Sequence, residues 1–329
     1  MGNLIFSMSQ PAAPSQLKEE YDVVIIGAGP AGLTAAIYTA RGKLSTLVLE
    51  KEVVGGAVET TDMIENFPGF PEGVTGHDLA DRMRKQAERF GAEIATGLVE
   101  ELDLKTNPKR IRFNGQDIKA KTVIIATGTT YKKLGVPGED KFAGRGVSYC
   151  ATCDAAFFTG KDVAVIGCGN SGLQEGLFIL KYANKIHFVE FLPESKAEKI
   201  LLDRVKQSDR TECHFNTQVV SINGDQKVES ITVKDRATGE TREIPVQGVF
   251  VYIGLNPNTA LVKDQVELNE WGYIVTDEHM ETNIPGVYAA GDVRNKVLYQ
   301  ITTAVADGSV AAVSAEHYIE NLKKETVEA

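Results

Sequence analysis

The hydrophobic and polar positions fall twice into one pattern: a short apolar run, a glycine-rich turn, a helical period and a second apolar run. The first copy begins at Tyr21-Asp22-Val23-Val24-Ile25-Ile26, continues through Gly27-Ala28-Gly29-Pro30-Ala31-Gly32, and predicts a helix to about Arg41. The strand Thr46-Leu47-Val48-Leu49 follows and ends in Glu50. The second copy starts at Asp162 and runs as a strand to Ile166, then Gly167-Cys168-Gly169-Asn170-Ser171-Gly172. A helix is expected from there to about Tyr182, then a strand Lys185 to Val189 ending in Glu190. Between the copies, Val53 to Gly69 reads as a fixed loop rich in glycine and proline. His77 to Phe90 reads as an amphipathic helix with Leu79, Met83, Ala87 and Phe90 on its core face. Residues 93–120 suggest short antiparallel strands, and Thr122-Val123-Ile124-Ile125 a buried strand leading to Ala126-Thr127-Gly128. Residues 213–247 read as β-rich. Strands at 248–252 and 286–290 follow, then Gly291-Asp292 and a closing helix from about Ile301 to Asn321.

Strand, glycine turn, helix and strand in this order form the context a dinucleotide fingerprint requires. Gly27 permits the tight turn, Gly29 lets a pyrophosphate approach the backbone, and Gly32 lets helix and strand pack closely. The helix N-terminus then faces the phosphates. Glu50, 18 residues after Gly32, sits where a carboxylate accepts ribose hydroxyls. Glu190 has the same spacing from Gly172, so Gly167, Gly169, Gly172 and Glu190 form a candidate second nucleotide site. The fold class expected is α/β, with two Rossmann-like, three-layer ββα dinucleotide-binding domains.

Between the two glycine turns lies Cys150-Ala151-Thr152-Cys153-Asp154. A Cys-x-x-Cys pair closes into a disulfide within about one turn, and one of its thiols commonly has a lowered pKa suited to exchange. No second pair or nearby His completes a zinc set around it, and no metal site is expected. Cys168 reads as a small packing residue, Cys213 as inert and His317 as a surface residue; Asp154 also suits a helix cap. At 329 residues the chain calls for more than one core. Its formal charge of −10, with the basic residues scattered, disfavours nucleic-acid binding. No apolar run approaches the roughly 18 residues of a membrane span. The first 20 residues read as a flexible tail with neither the basic region of a signal peptide nor a myristoylation pattern. Four cysteines in such a chain suggest a cytoplasmic protein with a working thiol pair rather than a disulfide scaffold.

In their order and spacing, five motifs resemble the low-molecular-weight thioredoxin reductases: the first glycine turn, Glu65-Asn66-Phe67-Pro68-Gly69, Ala126-Thr127-Gly128, Cys150 to Asp154, and Gly291-Asp292. The match runs from about Tyr21 to about Asn321. The resemblance implies an FAD domain at 21–129 and 248–329, interrupted by an NAD(P)H-type domain at 130–247 that carries the dithiol. It also implies a homodimer and, as substrate, thioredoxin or a similar small disulfide protein. Gly27, Gly29, Pro30, Ala31, Gly32 and Glu50 match the FAD pyrophosphate and ribose site, and Asp292 matches the residue that binds the ribityl chain. Gly56, Asn66, Ala126, Thr127, Gly128, Gly291, Gln300 and Ile301 complete the implied cofactor set. Cys153 matches the thiol nearer the flavin, Cys150 the thiol that attacks the substrate, and Asp154 the acid that moves protons.

Two departures bear on the electron donor and the flavin. NADPH-dependent members carry a His-Arg-Arg cluster after the second strand of the inserted domain, which clamps the 2′-phosphate. Here the stretch reads Glu190-Phe191-Leu192-Pro193-Glu194-Ser195-Lys196, and a carboxylate meets a phosphate with repulsion. NADPH is therefore disfavoured. Ferredoxin or a similar protein is the donor expected, with NADH, read by Glu190, or poorly bound NADPH as alternatives. At the flavin, Gly56-Ala57-Val58 replaces the common Gly-Gln, and Tyr299-Gln300-Ile301 the common Arg-Gln-Ala, so an aromatic ring replaces a cation. A reading of another class is a flavin-binding redox sensor whose dithiol cycles without turnover.

Overall fold

The computed structural model describes residues 17–61 and 63–328. Residues 1–16 of the expected tail lie outside them. Glu20 already opens the first strand, and Lys18 pairs with Glu93 at 2.6 Å. The chain gathers into two compact units. One runs to Gly56 and resumes over Asp81–Thr127 and from Thr259 onward; the other comprises Ala57–Ala80 and Gly128–Asn258.

In the first unit, Glu20–Ile26 pairs in parallel with Thr46–Glu50 on one side and Gln116–Ile125 on the other. Gln116–Ile125 is ten residues long and serves two layers. Its first half pairs antiparallel with Lys109–Phe113, and its second half pairs in parallel with Val287–Ala289. Alternation along the strands divides the core. Val24, Ile26, Leu47, Leu49, Val123 and Ile125 pack with Val99, Ile111, Phe113 and Ile118 of the antiparallel ribbon. The helices Pro30–Arg41 and Ile301–Glu328 pack on each other and on the sheet. One expectation fails here. Glu93–Thr96 is not part of the antiparallel set; it adds in parallel beside Thr46–Glu50, because the helix Gly76–Arg89 supplies the crossover that a parallel connection needs.

The second unit repeats this plan. Five parallel strands stand in the order Val147–Ser148, Gly248–Val251, Asp162–Ile166, Lys185–Val189, Thr211–His214. Odd and even positions again face opposite layers. Ala164, Ile166, Val189, Val249 and Val251 pack with Val219, Ile231, Val233 and Ile244 of a three-stranded antiparallel sheet. Val163, Val165, Ile186, Phe188 and Phe250 pack with Leu173, Ile179 and Val205 of two helices. The helix expected to reach Tyr182 ends at Ile179, and a turn carries the chain into the next strand. No helix among the described residues is long and apolar enough to cross a membrane.

Candidate cofactor cradle and dithiol site

In the first unit the glycine turn has the geometry its residues demand. Gly27 takes φ +107°, and a Cβ there would stand 2.3 Å from the Ala126 carbonyl oxygen. A Cβ on Gly32 would stand 1.9 Å from the Gly27 carbonyl oxygen. Both positions exclude a side chain. Gly29 differs: a Cβ there would meet no protein atom within 4 Å. Gly29 also caps the helix Pro30–Arg41 without a side-chain acceptor, and Pro30 occupies its first turn. The first helical amides therefore face a space kept free of protein, the shape and polarity a pyrophosphate fits.

Glu50 frames the same turn. Its Oε2 accepts the Ala28 amide at 2.7 Å and its Oε1 the Glu52 amide at 2.9 Å, leaving lone pairs for hydroxyls. Gly56, at φ +57°, would place a Cβ 3.3 Å from the Gly29 Cα, and the Gly55 amide donates to the Ala28 carbonyl. Gly291 brings the other side in, since a Cβ there would lie 2.8 Å from Ala31 Cβ. Asp292 follows it, its carboxyl pushed up by burial although Lys296 Nζ stands 3.1 Å away.

A buried network fixes Asp292 that the sequence did not announce. Asp307 of the terminal helix accepts the Gly291 amide at 3.1 Å and pairs with both Arg294 and Lys296 at 3.2 Å. Gly308, beside it, would put a Cβ 2.2 Å from the Ala31 carbonyl oxygen. An Asp-Gly pair inside a helix otherwise lined by alanines was the available signal. Tyr299, in place of the common Arg, lies with its ring 5.4 Å from that of Tyr273. Ala126, Thr127, Gln300 and Ile301 belong to this unit as well. The open Gly29 face, the framed Glu50 and the pinned Asp292 fit an adenine dinucleotide such as FAD.

The second unit holds the dithiol, together with Asn66 and Gly128. Cys150 and Cys153 form a disulfide with Cα atoms 5.4 Å apart. Val147–Ser148, parallel to Gly248–Val251, delivers the chain to Cys150, which caps the short helix Ala151–Asp154. Cys150 Sγ accepts the Cys153 amide at 3.2 Å and lies 3.5 Å from Thr152 Oγ1. The Thr152 hydroxyl proton is directed to the Thr60 carbonyl, so the donor to the Cys150 sulfur is the Cys153 amide, an arrangement that favours a thiolate there on reduction. Cys153 is the more exposed of the pair.

Glu139, Thr60, Arg204 and Phe157 of this unit were given no role in the sequence reading. Glu139 is buried, accepts the Leu134 and Gly135 amides at 2.8 and 2.7 Å, and takes the Tyr149 hydroxyl at 2.7 Å. It anchors the residue just before Cys150. Thr152 Oγ1 donates to the Thr60 carbonyl, and Arg204 pairs with Glu65 at 2.8 Å, which ties the segment 57–80 into this unit. Phe157, three residues past Asp154, is 71% exposed although it is aromatic. Cys168 is fully buried, and burial pushes its thiol and that of Cys213 upward, away from the thiolate.

The second glycine turn copies the first. Gly167 takes φ +101°, and a Cβ on Gly172 would stand 2.0 Å from the Gly167 carbonyl oxygen. Gly169, like Gly29, faces open space. Glu190 accepts the Cys168 amide at 2.7 Å and the Leu192 amide at 2.9 Å, the same two bonds Glu50 makes. The Arg236 guanidinium lies 3.7 Å over the Phe191 ring and donates to the Phe191 carbonyl at 3.0 Å, so this cation beside the Glu190 loop is already engaged.

Residues 21–308 match the family model described as pyridine nucleotide-disulphide oxidoreductase. A thioredoxin reductase from Bacillus subtilis is 44% identical over 92% of this chain and 96% of its own length. The crystal structure of a thioredoxin reductase from Lactococcus lactis superposes with a TM-score of 0.89 at 41% identity, covering 92% of this chain and 99% of that one. A ferredoxin-flavin thioredoxin reductase from Clostridium acetobutylicum, at 32% identity and a TM-score of 0.50, covers 92% and 99%.

Proposed function

We propose that this chain, which belongs to the pyridine nucleotide-disulphide oxidoreductases and among them to the low-molecular-weight thioredoxin reductases, reduces the disulfide of thioredoxin or a similar small protein. Its class, a flavoenzyme oxidoreductase of thioredoxin-reductase type, follows from that membership. The observation that carries the reading is the Cys150–Cys153 disulfide with a backbone amide donating to one of its two sulfurs.

When bound in the cradle of Gly27, Gly29, Gly32, Glu50 and Asp292, FAD supplies the electron pair that returns the disulfide to a dithiol. The exchange with substrate is carried by the protein's own groups. The Cys150 thiolate attacks one sulfur of the substrate disulfide, forming a mixed disulfide and releasing the other substrate sulfur as a thiolate. Asp154, whose amide hydrogen-bonds to the Cys150 carbonyl, is the group assigned to move the proton. Cys153 then attacks Cys150 Sγ, the second substrate thiol leaves, and the Cys150–Cys153 bond re-forms. Cys150 is assigned as the attacking sulfur because the amide donor stabilises its thiolate, and Cys153 as the sulfur facing the flavin.

Phe157 is assigned to docking. An aromatic ring exposed one turn from the dithiol offers apolar area to a protein substrate. Phe157→Ala should raise KM for the protein disulfide on the order of tenfold while leaving kcat within about twofold. Steady-state kinetics with thioredoxin and with a small disulfide reagent check this; an equal fall for both substrates would remove Phe157 from docking.

The donor proposed is a reduced protein such as ferredoxin rather than NADPH. Glu190 puts a carboxylate, not a cation, where a 2′-phosphate would bind, and the nearby Arg236 is committed to Phe191. A relative is described as a ferredoxin-flavin thioredoxin reductase. NADH is the second reading, since Glu190 is held as Glu50 is. An anaerobic titration that follows flavin bleaching with NADPH, NADH and reduced ferredoxin in turn tests both. Ferredoxin is expected to bleach the flavin fastest, and rapid bleaching by micromolar NADPH would overturn the donor assignment. Failure of the reduced protein to pass electrons to any thioredoxin would favour a redox sensor.

The remaining assignments are an FAD domain that resumes at Thr259 rather than at 248, because Gly248–Val251 lies within the five-stranded sheet of the dithiol unit, together with cytoplasmic operation and a homodimer. The dimer is supported by Tyr38, Val310 and Val313, apolar side chains exposed together on the first and last helices of the first unit.

A further inference from the structure

The strand register of the second unit brings together three side chains that its redox chemistry does not use. His187 stands on Lys185–Val189, and Glu212 and His214 on the edge strand Thr211–His214. His187 pairs with Glu212 and Val189 with His214, so all three side chains share the face covered by the antiparallel sheet. His187 Nδ1 lies 3.1 Å from His214 Nε2; Glu212 Oε2 is 3.7 Å from the former and Glu212 Oε1 3.7 Å from the latter. Both imidazoles are largely buried. Among the described residues this is the one such group of three ligand-type side chains.

These separations are those of a coordination sphere. Bonds of about 2.0–2.1 Å arranged tetrahedrally put donor atoms about 3.3–3.4 Å apart, and the cluster already stands near that spacing. The tautomers show what occupies the centre without metal. Arg242 Nη2 donates to His214 Nδ1 at 2.9 Å, so the ring proton of His214 sits on Nε2 and points at His187 Nδ1.

We propose that a divalent transition metal, with Zn²⁺ as its representative, binds here through His187 Nδ1, His214 Nε2 and Glu212 Oε1, with water in the fourth position. Imidazole nitrogens select such an ion over Ca²⁺ or Mg²⁺. Binding moves the His214 ring proton from Nε2 to Nδ1, so the exposed Arg242 guanidinium must withdraw. Lys185, 2.6 Å from Glu212 Oε2, stays as an outer-sphere partner of the ligating carboxylate. The metal staples the edge strand to its neighbour.

The test uses the flavin-loaded protein with Cys150 and Cys153 oxidised, and a parallel Cys150→Ser/Cys153→Ser protein, so that the dithiol cannot be the ligand. Zn²⁺ is titrated against a chromogenic chelator, and the melting temperature is followed with Zn²⁺, Ca²⁺ and Mg²⁺. Saturation at one Zn²⁺ per chain in both proteins is expected, with a rise in melting temperature for Zn²⁺ alone. His187→Ala and His214→Ala should each weaken binding by more than about tenfold, and Arg242→Gln, a change at an exposed side chain, should tighten it by about tenfold. No saturable binding, binding indifferent to His214→Ala, or Arg242→Gln that weakens binding would each overturn the proposal.

Discussion

Cys153→Ser is expected to yield a folded, yellow protein that no longer turns over any protein disulfide. Turnover needs the second sulfur twice, to take electrons as a disulfide and to resolve the mixed disulfide on Cys150. Serine can do neither. The donor to Cys150 Sγ is the backbone amide of residue 153, which the substitution keeps. Cys150 therefore retains its stabilised thiolate and should trap thioredoxin as a stable mixed disulfide. Cys150→Ser should lose turnover as completely and trap nothing at the protein-facing position. Mass spectrometry of the two variants after incubation with oxidised thioredoxin separates the roles. Trapping by Cys150→Ser and not by Cys153→Ser would reverse them, and turnover near the parent level in either would remove that sulfur from the mechanism.

The two glycines of the first turn should fail in opposite ways. Gly32→Ala drives a methyl to 1.9 Å from the Gly27 carbonyl oxygen, so helix and strand must part. The cost is about 1–3 kcal/mol of stability, with the flavin lost as a consequence. Gly29→Ala meets no protein atom within 4 Å, and its φ of −73° suits alanine. The apoprotein should melt within about 0.5 kcal/mol of the parent, yet its methyl projects into the open space proposed for the pyrophosphate. Flavin content after purification and thermal melts of the apoproteins are the readouts. A Gly29→Ala protein that keeps its flavin would show that the phosphates do not lie against that turn.

The clash at Gly32 and the freedom at Gly29 were legible before any coordinates. Both follow from a turn of six residues whose dihedrals are set locally, and the same holds for the copy at Gly167 to Gly172. Strand identity in Asp162–Ile166 and Lys185–Val189 was legible for a similar reason, because apolar runs of five between turn signals have few other uses. Glu93–Thr96 was misread as antiparallel, since the direction of pairing is decided by a crossover helix and not by the strand's own residues. The exposure of Phe157 was equally hidden: a Phe-Phe pair has one ring buried and one outside, and only packing says which.

Sequence alone specified the pieces that lie within one turn of backbone: two glycine turns each closed by a glutamate, a dithiol with its adjoining acid, and the family these imply. The tertiary structure decided what depends on register between distant strands and helices. It joined Asp307 to the Gly291 turn 16 residues away, grouped the segment 57–80 with the dithiol unit, and set His187 against His214 across 27 residues. Local motifs carry their own geometry, whereas a contact between remote residues exists only once the layers have packed and fixed which faces meet.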